Sequence, residues 1–333
     1  AYKINGMDIA ELSNMTISNT IKWFKSLALS PMQVEISKEI IRQIMLKLNF
    51  LARVGLGYLT LSRQARTLSG GEYQRVNLSN QLSSTLTGTL YVLDEPTIGL
   101  HPRDTNRIAE IMKELSSLGN TIIVVEHDRD IISSSDWVVE LGPGGGHLGG
   151  EVIFSGTMEK FMKADTLTAR YIKESGVMGQ ESKVGVTEQQ NDRSIVKKLP
   201  SSTFNIKPQA YLSLYGASGN NLKNVTLKVP LKKLTVVTGV SGSGKSSLIV
   251  DTLYSALAKH FKYETTYPLA FKKIEGIENI KGVKMIDQTP IGKTPRSNPI
   301  TYLKIFDSIR RLLSEQPESR LKGYTPGFFS FNV

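Results

Sequence analysis

The sequence predicts an α/β protein in which a parallel-rich sheet is flanked by helices, divided into two partial lobes with a small helical subdomain before them. Short apolar runs alternate with helical patterns after Thr89 and again after residue 210, which is typical of parallel strands covered by helices. Between these regions, residues 174–209 are polar and poor in aromatic side chains, as expected for a linker. A glycine-rich turn also joins a strand to a helix near Gly239.

The sequence predicts that residues 1–88 form the helical subdomain. Ser18 or Asn19 can cap a helix over residues 20–29, and Pro31 can open a longer helix that ends near Leu51. Apolar residues recur at helical spacing in both stretches.

The two α/β segments cover residues 89–173 and 210–333. The first contains the apolar runs TLYVLD, TIIVV and WVVELG, followed by a glycine-rich hairpin over residues 142–156. The second contains LTVVTGV and VKMID, and an amphipathic helical pattern follows each run, the last one over residues 301–315.

Composition and charge narrow the class of protein. No apolar run is long enough to cross a bilayer and no secretory leader is recognisable, so we expect a cytoplasmic protein without a membrane partner. The sequence has no cysteine, which excludes disulfides and thiolate metal sites within it. From residue 207 onwards, 19 Lys and Arg face 8 Asp and Glu, which is the whole net charge of +11. This excess predicts a surface for a polyanion, with DNA as the expected partner.

Residues 239–246 fit the pattern G-x-x-x-x-G-K-[ST] at the junction of a buried strand and a helix. Such glycines let the backbone fold round a phosphate with its N–H groups facing inward, and the helix N-terminus adds the positive end of its dipole. Lys245 is expected to reach the β and γ phosphates, and the Ser246 hydroxyl to ligate Mg²⁺. The predicted ATP-binding residues are Gly239, Ser241, Gly242, Ser243, Gly244, Lys245, Ser246 and Ser247.

The stretch TLSGGEYQRVNL, starting at residue 67, places a second glycine pair where a helix begins. Unpaired N–H groups at a helix start can meet a γ-phosphate from outside, and a Cβ would obstruct that approach. The predicted signature residues are Ser69, Gly70, Gly71 and Glu72.

Two acidic residues follow the run TLYVL. Asp94 is suited to hold Mg²⁺ through water, and Glu95 to accept a proton from the attacking water. The stretches LSGGE, YVLDEPT and VVEHD, in this order and spacing, are specific to ABC-type (ATP-binding cassette) ATPases. In that class a histidine placed like His127 senses the γ-phosphate, and a glutamine placed like Gln288 touches Mg²⁺ and the attacking water. The predicted catalytic residues are therefore Glu95, His127 and Gln288, and the predicted Mg²⁺ ligands Ser246, Gln288 and Asp94.

The chain resembles the UvrA family, the DNA-damage-recognising ATPase subunits of bacterial excision repair. The stretches YVLDEPTIGLHPRD, GPGGGHLGGEVIFSG and DQTPIGKTPRSNPITY carry the resemblance, and GLHPRD, TPRSNP and FSFNV separate the family from transporter cassettes. Phe328, Tyr73 and Asn77 depart from the family pattern. These departures leave a specialised relative open, such as one that protects a drug producer.

The resemblance implies that this chain spans the end of one cassette and the start of a second. Residues 1–88 and 89–173 then belong to the first cassette and residues 210–333 to the second. The signature is expected to face the nucleotide held by Lys245, while Asp94 serves another nucleotide. The isolated chain would bind ATP but hydrolyse it poorly. In the alternative, both segments fold together as one permuted cassette, with Asp94 beside Ser246.

The resemblance also implies a role in nucleotide excision repair and the SOS response. The parent protein is expected to be a homodimeric ATPase that recognises damaged duplex DNA, loads a UvrB-type partner and carries zinc only in modules flanking this chain. The candidate DNA contacts are Lys272, Lys273, Arg296, Arg310 and Arg311.

Two other classes of ABC protein are alternatives, and each would have different binding properties. The nucleotide-binding module of an ABC transporter would dock membrane helices and have no affinity for DNA. An ABC protein of ribosomes or chromosome maintenance would bind RNA or carry coiled coils, and the sequence has no sustained heptad pattern.

Overall fold

The structure, a computed structural model, describes residues 3–82, 86–181, 210–286 and 299–330. The chain divides into two compact units. Unit 1 comprises Ala1–Leu86, Glu95–Ile111 and Ile286–Val333, and unit 2 comprises Thr87–Asp94 and Met112–Met285.

Nine strands are present in the described ranges. They are β1 (Thr89–Asp94), β2 (Thr121–Val125), β3 (Trp137–Gly142), β4 (Glu151–Thr157), β5 (Tyr211–Ala217), β6 (Val225–Pro230), β7 (Leu234–Gly239), β8 (Lys273–Glu275) and β9 (Gly282–Ile286). The α-helices are α1 (Ile9–Ser13), α2 (Ile17–Lys25), α3 (Pro31–Leu51), α4 (Gly70–Leu82), α5 (Pro102–Ser117), α6 (Arg129–Ser134), α7 (Met158–Phe161), α8 (Leu167–Glu181), α9 (Ser255–His260), α10 (Pro299–Tyr302), α11 (Ile305–Ser314) and α12 (Pro317–Leu321). A π-type helical segment, Ser247–Tyr254, leads into α9.

A six-stranded sheet in the order β4-β3-β7-β2-β1-β9 forms the centre of unit 2. β3, β7, β2 and β1 run parallel, and β4 pairs with β3 in the antiparallel sense. Every residue of β2 and β7 is buried, as expected for apolar strands covered on both faces. The predicted parallel-rich sheet flanked by helices is therefore confirmed.

The strands of the two predicted lobes lie in this one sheet. β7 comes from the second α/β segment, yet it pairs on one side with β2 and on the other with β3, both from the first segment. A buried parallel strand needs partners for its backbone groups on both sides, and the first segment supplies them. Strands from both predicted segments are therefore hydrogen-bonded neighbours in one sheet.

A second, antiparallel sheet in the order β6-β5-β8 was not predicted. It shares one apolar cluster with the large sheet and the helical residues 247–258, including Leu214, Val237, Leu248 and Leu253. The two sheets of unit 2 thus enclose the helix that follows the glycine-rich turn.

Helix α3 organises unit 1. It begins at Pro31 as predicted, with Ser30 and Gln33 forming a reciprocal capping pair, and it packs against α2, α4 and α11. Lys47 on α3 donates to the Leu303 carbonyl at 2.6 Å, and burial lowers the pKa of its ammonium group. These contacts place residues 299–330 with the N-terminal helices and not with the rest of the second α/β segment.

Three predicted boundaries differ from the structure. Helix α2 is capped by the Thr16 hydroxyl, which accepts from the Asn19 N–H, and not by Ser18 or Asn19. The helix predicted over residues 301–315 is divided into α10 and α11, because Lys304 adopts a left-handed conformation with φ of 54°. Helix α8 continues to Glu181, so the first residues of the predicted linker are helical.

None of the helices in the four described ranges is long and apolar enough to cross a membrane.

The contact between β4 and the loop that joins β5 to β6 predicts that residues on either side of segment 182–209 can be cross-linked. Lys223 Nζ lies 2.9 Å from Glu151 Oε1, and the Lys223 N–H donates to the Gly150 carbonyl at 2.9 Å. In this cysteine-free chain, the double variant Glu151→Cys/Lys223→Cys should be joined by a short bismaleimide within one molecule. Mass spectrometry of the digested protein detects the linked peptides.

Each single-cysteine variant serves as a control, because it allows links only between molecules. A folded double variant without an internal link would contradict the packing of Glu151 against the loop that carries Lys223.

Candidate functional site

The glycine-rich turn of unit 2 follows β7 directly. Gly239 ends the strand with φ of +132°, and a Cβ there would collide with the Leu141 carbonyl of β3. Gly242 and Gly244 also have positive φ values, of +73° and +103°. The backbone path of the turn therefore requires glycine at these three positions.

Lys245 lies inside this turn and is 6% exposed. Its ammonium group donates to the carbonyl oxygens of Gly239 at 2.9 Å and Val240 at 3.0 Å. A lysine that spans the turn in this way places its positive charge where the phosphates of a nucleotide bind in turns of this sequence. Ser246 stands one residue further, in the first turn of the helix.

The glycine-rich loop between β3 and β4 packs against the same turn. The Gly146 N–H donates to the Gly242 carbonyl at 2.9 Å, and the Gly150 N–H donates to the Ser243 carbonyl at 3.0 Å. A Cβ on Gly145 would lie 2.6 Å from the Ser241 carbonyl oxygen. The sequence predicted the hairpin but not its contact with the glycine-rich turn.

Asp94 and His127 follow the strands beside β7. Asp94 pairs in register with Val125 of β2, and Val125 pairs with Val237 of β7. Because neighbouring strands are about 4.8 Å apart, the Asp94 backbone lies roughly 10 Å from Val237. Carboxyl ends of parallel strands lie at one edge of a sheet, so Asp94, His127 and the turn after Gly239 share that edge.

Glu126 orders the loop that carries His127, and the sequence analysis missed it. The Glu126 side chain is buried and accepts from the His127 N–H at 2.8 Å and the Asp128 N–H at 3.1 Å. Its own N–H donates to the Val237 carbonyl of β7 at 3.1 Å. These bonds fix the backbone of His127 relative to β7.

The remaining acidic candidate, Glu95, belongs to unit 1. It adopts a left-handed conformation with φ of 45°, and its carbonyl accepts from the Gln74 side chain at 3.2 Å. A bulky residue in this conformation is strained by on the order of 1–3 kcal/mol, which is common at functional positions.

The predicted signature forms the start of α4. Ser69 Oγ accepts from the Glu72 N–H at 3.3 Å, and Glu72 Oε2 accepts from the Ser69 N–H at 2.7 Å. Partial burial acts to raise the pKa of the Glu72 carboxyl, but hydrogen bonds from Tyr58 and Ser69 outweigh it and lower that pKa below its ordinary value. Gly71 is close to the Gly99 carbonyl, whereas open space surrounds the position of a Cβ on Gly70.

A cavity of about 620 Å³ adjoins the signature within unit 1. It is lined by Ser69, Gly70, Gly71, Tyr73, Gln74, Arg75, Asn77, Ile98, Gly99, Leu100, His101 and Asp104. Arg75 is buried here and paired with Asp104 at 2.7 Å, an ion pair that sequence reasoning missed. The first turn of α4 is thus accessible to a ligand, and the Arg75–Asp104 ion pair lies beside it in the cavity wall.

The candidate DNA contacts differ in their surroundings. Lys272 and Lys273 in unit 2 are exposed, and Lys273 pairs with Glu275. In unit 1, Arg310 is mostly buried and paired with Asp307 at 3.2 Å.

Arg311 is exposed and paired with Glu315 at 2.7 Å. Two predicted residues, Gln288 and Arg296, lie outside the described residues.

The described residues contain no cluster of three or more His, Cys, Asp or Glu suited to hold a metal ion by themselves. A nucleotide-associated Mg²⁺ needs fewer protein ligands, because phosphates and water supply the others. The Ser246 hydroxyl and the Asp94 carboxylate are oxygen donors of the kind Mg²⁺ prefers, so the residues present fit this ion.

The glycine-rich turn after a central parallel strand, its buried lysine and the acidic residue at the same sheet edge define a P-loop nucleotide-binding protein. A family profile described as "AAA domain, putative AbiEii toxin, Type IV TA system" matches residues 57–132. Over its whole length, this chain is a homologue of UvrABC system protein A.

The relatives support this assignment along the whole chain. The protein of Thermus thermophilus is 46% identical over 100% of this chain, and that of Oceanobacillus iheyensis is 45% identical over 100%. The Staphylococcus aureus protein is 44% identical over 99% of the chain. The chain spans 33% of each of these relatives. The sequence in a crystal structure of UvrA2 from Deinococcus radiodurans is 36% identical to this one. The alignment covers 99% of this chain and 39% of the UvrA2 chain, with a TM-score of 0.45.

The packing between the glycine-rich hairpin and Asn221 predicts a position-specific cost of adding a methyl group. Gly150 and Gly146 both have positive φ, of +82° and +59°. A Cβ on Gly150 would collide with the Asn221 carbonyl, whereas nothing lies within 4 Å of one on Gly146. We expect Gly150→Ala to lower the free energy of unfolding by about 3 kcal/mol or more, and Gly146→Ala by about 1 kcal/mol.

Urea denaturation of the two variants measures both values. Equal losses would show that the close approach of Gly150 to Asn221 does not occur in solution.

Proposed function

We propose that this chain binds ATP with Mg²⁺ at residues 239–247 and contributes to ATP hydrolysis. The observation that carries the proposal is the strand order, in which β7 lies next to β2 and one strand away from β1. A P-loop requires an acidic strand end nearby to hold Mg²⁺, and this order supplies Asp94 at the same sheet edge.

Each residue then has a role defined by its chemistry. Lys245 would neutralise the β and γ phosphates, and Ser246 and Asp94 would hold the Mg²⁺ that accompanies the nucleotide. Glu95 accepts a proton from the attacking water, and His127 senses the γ-phosphate. Gln288 would orient the water, and the N–H groups of Ser69–Gly71 would contact a γ-phosphate held by an opposing cassette.

Hydrolysis in this scheme needs an opposing half. Because the signature of the class grips a nucleotide bound elsewhere, the isolated chain is expected to bind ATP well and to turn it over slowly. Full activity belongs to the longer protein.

We further propose that the longer protein is a cytoplasmic, dimeric ATPase that recognises damaged DNA and loads a UvrB-type partner in nucleotide excision repair. The homologues named UvrABC system protein A support this proposal. The excess of basic residues after residue 206 provides charge for duplex binding. Lesions differ in structure, so recognition would depend on duplex deformability more than on base sequence.

The ATP site is tested by Lys245→Ala. Removing a buried ammonium group from the triphosphate should raise the dissociation constant for a fluorescent ATP analogue with Mg²⁺ about a hundredfold. The control is Lys259→Ala, since Lys259 is exposed on α9. Unchanged nucleotide affinity in Lys245→Ala would remove the proposed site.

DNA binding is tested by the double variant Lys272→Ala/Lys273→Ala. If both lysines contact phosphates, the slope of log K against log salt should decrease by roughly 1 to 2 for damaged and undamaged duplexes alike. Fluorescence anisotropy titrations at salt concentrations from about 50 to about 200 mM measure this slope.

Lys113→Ala/Lys163→Ala removes the same charge from two exposed positions in the first segment and is the control. An identical slope in both double variants would exclude Lys272 and Lys273 from the DNA contact.

A further inference from the structure

Asn221 lies between the P-loop and the glycine-rich hairpin. Its side-chain Nδ2 donates to the Gly242 carbonyl at 3.0 Å and to the Gly146 carbonyl at 2.9 Å. Both N–H groups of the amide are therefore used, one on each loop. The preceding residue, Asn220, donates from its own Nδ2 to Ser247 Oγ at 2.9 Å.

The direction of these bonds matters for phosphate binding. In a planar trans peptide, the C=O and N–H groups point in opposite directions. Bonds from Asn221 and from the Gly146 N–H hold the Gly242 carbonyl, and the Gly150 N–H holds the Ser243 carbonyl. Holding the Ser243 carbonyl on the hairpin side turns the Gly244 N–H to the side away from the hairpin.

The side chain of Asn221 is tightly fitted. Its Oδ1 lies 3.0 Å from the position that a Cβ on Gly244 would take, and its backbone carbonyl excludes a Cβ at Gly150. Reversing the amide would aim Oδ1 at two carbonyl oxygens, so the hydrogen bonds determine its orientation.

We propose that Asn221 is a positioning residue of the phosphate cradle. Its side chain holds the P-loop against the hairpin, so that the P-loop has its binding conformation before the nucleotide arrives. The inference rests on the proposed ATP site. Preorganisation of this kind raises affinity because the loop is already ordered when the ligand binds.

The test uses Asn221→Asp and Asn221→Ala in the whole 333-residue chain. Aspartate has nearly the same shape but presents oxygen to both carbonyls, and alanine removes both hydrogen bonds without adding charge. Each variant should raise the dissociation constants for ATP and ADP about tenfold or more. The affinity for AMP should change much less, because a single α-phosphate does not occupy the centre of the cradle.

The control is Asn224→Asp, which makes the same charge change three residues further along the loop, at an exposed position. It should leave all three affinities unchanged. Melting temperatures without nucleotide are measured for every variant.

Wild-type affinity for ATP in both Asn221 variants would overturn the inference. It would also be overturned if ATP, ADP and AMP lost affinity equally in parallel with a lower melting temperature, since Asn221 would then only stabilise the fold. A wild-type chain that binds no ATP would instead refute the ATP site itself, and the inference with it.

Discussion

The pairing of β7 on both of its edges is the constraint on which unit 2 depends. β7 carries the P-loop, and its neighbours β2 and β3 come from the segment before residue 182. Four parallel strands share register across this pairing, so Asp94, Val125 and Val237 stand in one row. The glycine-rich turn therefore takes its position from strands distant in sequence, and neither α/β segment by itself places Asp94 and Lys245 at one sheet edge.

Local patterns predicted most of these strands and helices but not their order in the sheet. The run TIIVV is apolar at every position, so it indicates a buried strand without indicating its partners. The short strand β8, Lys273–Glu275, has charged residues at both ends and offers no apolar alternation. The break at Lys304 could not be predicted either, because leucine and lysine are both good helix formers and neither marks a left-handed residue.

Some residues of the candidate site could likewise be predicted from the sequence, and others could not. Residues of the P-loop, the signature and the acidic strand end are recognisable because chemistry fixes their spacing along the chain. Asn221 and Arg75 support those residues through contacts with segments distant in sequence, and Glu126 does so through hydrogen bonds to the two residues that follow it. Each of these residue types is common on protein surfaces. Two adjacent asparagines after a glycine resemble an ordinary turn, and only the fold shows that both reach the P-loop.

Two glycines of the hairpin, Gly145 and Gly149, let its backbone approach the P-loop closely. Gly145 and Gly149 have no room for a Cβ beside Ser241 and Ser243, whereas the Gly146 position is open. The close approach brings backbone N–H groups of the hairpin to P-loop carbonyls at 2.9–3.0 Å. A loop whose carbonyls are already bonded has fewer conformations to lose when a ligand arrives. The glycine content at these positions therefore indicates a rigid P-loop, even though glycine by itself favours flexibility.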